Sequence, residues 1–275
     1  MPRLSGAVAD ATVSGRLWLY SNYHCNLACA YCLTESAPRV PRRELAGARM
    51  LQLAEQAGVL GFTGLGVTGG EPFLRTDLPE LLRELAGHLP VLVLTNGTLF
   101  TRRLLDRITP LAGLPVALQI SLDRPDADDN DLMRAPDNFR KVVQAIPLLV
   151  ERGHKVRIAT TLLEEDAAEL ARLCDLHRSL GVSDEYHLVR PVVRRGRART
   201  GGMGVTAVGT DLPPELTVTV DGAFWSPFGP TVTSGVLDID LLVTRRTDPL
   251  AYAVDRLLDL AEGRPPGDDG VLNIR

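Results

Sequence analysis

The chain has 275 residues, 45% of them hydrophobic, with 30 basic against 34 acidic side chains and a net charge of −4. That is enough apolar material for one main domain with an appendage, and the acidic balance argues against a nucleic-acid partner, because phosphate binding wants a basic face. No run approaches the ~18 apolar residues of a membrane span, and residues 1–15 lack the basic start and apolar core of a signal peptide.

In chain order, periodicity predicts strands alternating with helices, the pattern of a parallel sheet with helical crossovers. A strand over Arg16–Tyr20 runs into Tyr23-His24-Cys25-Asn26-Leu27-Ala28-Cys29-Ala30-Tyr31-Cys32, and a helix over Pro41–Gln56 follows, with Gly58 as its stop. The second strand, Gly64–Thr68, ends in Gly69-Gly70-Glu71-Pro72. Its helix carries Leu78, Leu81, Leu82 and Leu85, with Thr76 or Asp77 as cap. Val91–Thr95 reads as a strand buried on both faces, and Thr101 caps the helix of Leu104, Leu105 and Ile108. A fourth strand, Val116–Ser121, reaches Asp123, and its helix shows Phe139, Val142, Val143 and Ile146. The fifth, Lys155–Thr161, precedes a helical stripe of Ala167, Leu170, Ala171 and Cys174, which places Cys174 in the core. The sixth, Tyr186–Val189, leads into Arg190-Pro191 and a cluster of arginines ending at Arg199.

After Gly201, Gly202 and Gly204, read as a flexible join, Leu216–Val220 and Ala223–Trp225 predict a hairpin on an Asp221-Gly222 type I′ turn. Asp248-Pro249 starts a helix of Leu250, Ala253, Val254, Leu257, Leu258 and Ala261 that Gly263 ends, and the tail from Arg264 reads as loose.

The chemistry concentrates in the cysteine loop. Thiolates spaced C-x3-C-x2-C can converge on one small centre, and soft sulfur selects an iron–sulfur cluster or zinc. Three cysteines leave one iron of a cubane open to an outside ligand, whereas a closed zinc site needs a fourth donor, for which His24 or Cys174 would serve. Four cysteines with three in one loop suit a reducing cytoplasm better than a disulfide framework. Gly64-Leu65-Gly66-Val67-Thr68-Gly69 also spells the dinucleotide fingerprint, but its glycines sit inside the strand and Pro72 interrupts before the helix, so a nicotinamide or flavin site is not expected.

Cys25, Cys29 and Cys32, the aromatic Tyr31 and the downstream Gly69-Gly70-Glu71-Pro72 together resemble the radical S-adenosylmethionine (SAM) superfamily. The resemblance covers about residues 16–200. It implies an α/β fold, a (β/α)6 partial TIM barrel, with a [4Fe–4S] cluster on Cys25, Cys29 and Cys32 and SAM chelating the open iron. It implies SAM contacts from Tyr31, Gly69, Gly70, Glu71, Thr95, Ser121 and Asp123. The implied reaction is reductive cleavage of SAM to a 5′-deoxyadenosyl radical that takes a hydrogen atom from substrate, with flavodoxin or ferredoxin as electron donor.

Arg134 and Asn138-Phe139 keep part of an Arg-Gly-x-x-Ser-Phe-like stretch of relatives. Residues 201–275 resemble the SPASM or twitch extension, yet no cysteine follows Cys174. The expectation is therefore a remnant without an auxiliary cluster, a small α+β extension covering the open side of the barrel. The substrate expected is a small molecule on the way to a natural product or cofactor. A ribosomal peptide is the alternative, and a zinc-stabilised binding protein without turnover is the rival from outside enzymology. The arginines from Arg190 onward could clamp an acidic substrate, although a basic surface loop is their default reading.

Overall fold

The computed structural model describes residues 3–164, 166–209 and 211–262. Its order is α1 (Arg3–Ala9), β1 (Arg16–Tyr20), α2 (Gly47–Leu60), β2 (Gly64–Thr68), α3 (Leu78–Ala86), β3 (Val91–Thr95), α4 (Arg102–Ile108), β4 (Val116–Ser121), α5 (Ala127–Met133), α6 (Asn138–Glu151), β5 (Lys155–Leu162), α7 (Ala167–Ser179), β6 (His187–Pro191) and α8 (Arg197–Thr200). There follow β7 (Thr217–Thr219), β8 (Gly222–Phe224), β9 (Val232–Thr233), β10 (Val236–Leu237), β11 (Leu242–Thr244) and α9 (Leu250–Ala261). Strands β1 to β6 pair in parallel, in chain order. This is the (β/α)6 partial barrel.

Alternation along each strand decides what faces where. Leu17 and Leu19, Leu65 and Val67, Val91 and Val93, Leu118 and Ile120, and Val156 and Ile158 join Met50, Leu53, Leu82, Leu85, Ile108, Val142 and Ile146 in one core between sheet and helices. The opposite face lines the barrel. There the Trp18 ring lies over Gly66, whose missing Cβ would sit 2.2 Å from it, and the indole donates to Glu215 at 2.7 Å. This plug lies one strand repeat below the cavity, which opens at Tyr20.

Several boundaries differ from expectation. The helix predicted over Pro41–Gln56 starts at Gly47, because the preceding residues run extended beside the cysteine loop: Tyr23 N–H donates to Arg43 O and Leu45 N–H to Ser21 O. It ends at Gly61, left-handed at φ 101°, and not at Gly58, which lies inside the helix. Helix α5 was not anticipated, since Asp128 to Asp131 offer no apolar stripe. The stripe on α7 is rotated from the predicted one: Leu173 and His177 are buried and Ala167 and Ala171 are exposed. Cys174 is half-buried, its sulfur 3.8 Å from His187 Nδ1. The hairpin forms, but Thr219 pairs with Gly222, so the turn is Val220-Asp221.

The glycines after α8 turn the chain back: Arg194 N–H donates to Val205 O and Val205 N–H to Val192 O, both at 2.8 Å. Beyond them the sheet continues, because β7 pairs in parallel with β1 and the order runs β11-β8-β7-β1-β2-β3-β4-β5-β6. Val232 N–H reaches Leu33 O, and Arg195 pairs with Asp240, so this segment ties the cysteine loop to the chain after β6. The expected stop at Gly263 and the tail lie outside the described residues. Among those described, no helix is long and apolar enough to cross a membrane.

Candidate active site

The cysteine loop and the glycine loop leave the adjacent β1 and β2 and zip together through backbone. Gly70 N–H donates to Asn22 O at 2.7 Å and Glu71 N–H to His24 O at 3.0 Å. The buried Asn22 amide closes the seam, donating to the carbonyls of His24 and Glu71. The glycines are required by this seam. A Cβ on Gly70 would stand 2.1 Å from His24 O, and one on Gly69, at φ 154°, 2.5 Å from Asn22 O. Gly70→Ala is therefore expected to prise the loops apart and sharply lower iron uptake in reconstitution. Gly58→Ala, with nothing within 4 Å of the new methyl, should instead stabilise α2 by roughly 0.5–1 kcal/mol.

Cys25, Cys29 and Cys32 all line one cavity at the carboxyl ends of the strands, with Tyr31, Gly69, Gly70, Thr95 and Ser121 on its wall. Burial pushes the Cys25 thiol up to about 12 and the Cys29 thiol up to about 11. A positively charged centre would make them thiolates and release their protons. The loop is pinned from outside: Ala30 N–H donates to Met133 O at 2.8 Å, and Arg197 gives its backbone N–H to Cys32 O and its guanidinium to the carbonyls of Cys29 and Ser36. Arg197 was read only as one member of a basic cluster, and nothing in Arg-Arg-Gly-Arg separates it from its neighbours.

Two predicted residues lie elsewhere than expected. Glu71 is fully buried and its carboxylate is taken up by the protein, accepting from Thr95 Oγ1 at 2.8 Å, Asn96 N at 2.8 Å and Phe73 N at 3.0 Å. Burial raises its pKa to about 7 against the pull of those hydrogen bonds. Asp123 is buried behind the wall. It accepts Arg134 Nε at 2.7 Å and Thr161 N at 2.9 Å, and it takes a hydrogen bond from the Tyr31 hydroxyl. Burial works against the charge on Arg134, but Asp123 and Tyr31 more than restore it, so its pKa stays raised.

The donor set, three thiols of one loop on one cavity wall, has the soft-sulfur chemistry that an iron–sulfur cluster takes. Among the described residues no three His, Cys, Asp or Glu side chains come close enough to hold one metal ion. His24 turns its Nε2 toward Glu44 at 3.5 Å, and Cys174 is absent from the cavity wall. Neither proposed fourth zinc donor is in place.

A parallel barrel that gathers three thiols and a glycine loop at its strand ends belongs to the class of cluster-dependent enzymes. The sequence profile of the Radical SAM superfamily matches residues 19–177, more than half of the chain, and the chain belongs to that superfamily. It is an enzyme of a family that uses a [4Fe–4S] cluster and SAM. Mycofactocin maturase MftC of Mycobacterium tuberculosis is 31% identical over 194 residues, covering 70% of this chain and 46% of that one. The AdoMet-dependent heme synthase of Methanosarcina barkeri is 30% identical over 166 residues, covering 60% and 47%. Streptococcus suis SuiB, solved bound to S-adenosylmethionine, shares the fold at a TM-score of 0.56 and 19% identity, over 68% of this chain and 43% of that chain. The chain spans about half the length of the curated relatives it matches.

Proposed function

We propose that Cys25, Cys29 and Cys32 hold the [4Fe–4S] cluster and that SAM lies against Gly69, Gly70, Tyr31, Thr95 and Ser121. Glu71 and Asp123 position that wall from behind. The observation that carries this reading is the shared cavity, which brings three thiols and both glycines onto one surface. Bound together, cluster and SAM supply a 5′-deoxyadenosyl radical by one-electron cleavage of the sulfonium, with flavodoxin or ferredoxin as donor. The protein's part is to hold the reactants and keep water out. Tyr20, Leu27, Leu94, Val192 and Phe228 give the cavity the apolar lining for that.

The substrate we propose is a small biosynthetic intermediate of a natural product or cofactor, in line with the heme synthase among the relatives. A peptide is the second reading, favoured by the maturase MftC. Residues 1–200 are proposed as the radical SAM unit and 201–275 as a SPASM- or twitch-like remnant without an auxiliary cluster, since no cysteine follows Cys174.

Anaerobic reconstitution tests the site. The wild type should turn brown, bind iron and sulfide, and change its electron paramagnetic resonance spectrum on adding SAM, while Cys29→Ala should lose all three. A colourless wild type that retains one zinc ion per chain would overturn the assignment.

A further inference from the structure

Arg134 and Arg190 both line the cavity, and among the described residues Arg190 differs from the other arginines of this region in its partners. Arg134 is paired with Asp123, Arg124 with Glu169, Arg195 with Asp240, and Arg194 and Arg197 with backbone carbonyls. Arg190 lines the cavity, and among the described residues it has no acidic partner. Its one hydrogen bond is from Nε to Thr161 Oγ1 at 3.3 Å, which leaves both terminal nitrogens of the fork uncommitted. Burial lowers its pKa against the pull of Tyr31 and Asp123, which act on it without a hydrogen bond or ion pair.

Thr161 is the register partner of Arg190 across β5 and β6, so the two strands present a hydroxyl and a guanidinium side by side on the cavity wall. Facing the mouth, Val192, Val193 and Phe228 are apolar.

We propose that Arg190, with Thr161 beside it, forms an anion-binding corner that holds the carboxylate or phosphate of the substrate while Val192, Val193 and Phe228 cover its apolar body. This rests on the reading of the cavity as the radical SAM site and names the class of molecule that enters it. Arginine matches both anions with its planar fork. SAM carries a carboxylate of its own, so the test separates the two sources.

Inorganic phosphate is titrated by calorimetry into cluster-loaded, SAM-saturated wild type, Arg190→Lys and Arg190→Gln, and SAM affinity is measured separately in each. Wild type should bind phosphate saturably, Arg190→Gln about tenfold or more weakly and Arg190→Lys in between, with SAM affinity held within about twofold across the three. Equal phosphate binding in wild type and Arg190→Gln, or none in either, overturns the corner. Loss of SAM affinity in Arg190→Gln, with SAM excluding phosphate from wild type, overturns it in favour of the SAM carboxylate. The titration is repeated on cluster-free protein. An Arg190-dependent phosphate site there, in a wild type that takes up no cluster, would sustain the corner while defeating the cluster assignment.

Discussion

Asp123→Asn and Arg134→Met should each lower the unfolding free energy by about 3–5 kcal/mol, the cost of leaving one buried charge without its partner. Both groups are nearly inaccessible, at 0% and 6%, so water cannot replace the lost ion pair. Asp123→Asn strands the guanidinium. Arg134→Met leaves the carboxylate with only Thr161 N–H and the Tyr31 hydroxyl. The double variant should cost less than the two singles together, because neither charge then remains. Tyr31 sits in the bend between Cys29 and Cys32, so the same variants should also lose iron faster than wild type in a chelator chase. Urea titrations that place either single variant within about 0.5 kcal/mol of wild type would show that the pair is not what holds this wall.

How much of this was legible in the sequence depends on what each residue had to encode. The strands Arg16–Tyr20, Gly64–Thr68, Val91–Thr95 and Val116–Ser121 were readable to the residue, because each is a short apolar run ending in polar or glycine residues at the site. That the three cysteines share one wall was readable because their spacing keeps them on one loop. Helix α5 was not, because its four acidic or amide residues carry no period. The partners of Glu71 within the protein were not legible for a related reason. Its motif says that a carboxylate is needed, but of the three donors that claim it only Phe73 is local, while Thr95 and Asn96 come from the end of the next strand. The glycines were assigned close approach to a ligand, whereas the approach the structure shows is to the backbone of Asn22 and His24. Arg190 and Arg197 sit in one basic stretch, and only the fold separates the one that braces the cysteine loop from the one facing the cavity.

Glu71 gives the second large effect, and pH reveals it. Its folded pKa is raised from 4.5 to about 7 by burial, so the folded state holds a proton that the unfolded state releases between those values. The stabilisation is complete below pH 4.5 and lost as pH rises through about 7. The shift corresponds to a loss on the order of 3 kcal/mol between pH 5 and pH 8. Glu71→Gln cannot titrate, and its stability should be flat across that window as far as this site is concerned. It also exchanges an acceptor oxygen for an NH2 that must face the Asn96 amide or the donors of Phe73 and Thr95, leaving a buried donor unpaired at a cost of about 1–3 kcal/mol. Wild type should therefore be the more stable of the two at pH 5 and lose that lead by pH 8. Denaturation curves of the cluster-free proteins at both pH values measure the difference, and other titrating groups cancel because they are common to both. A difference that grows with pH would mean that the three hydrogen bonds outweigh burial and that Glu71 is held as a carboxylate throughout.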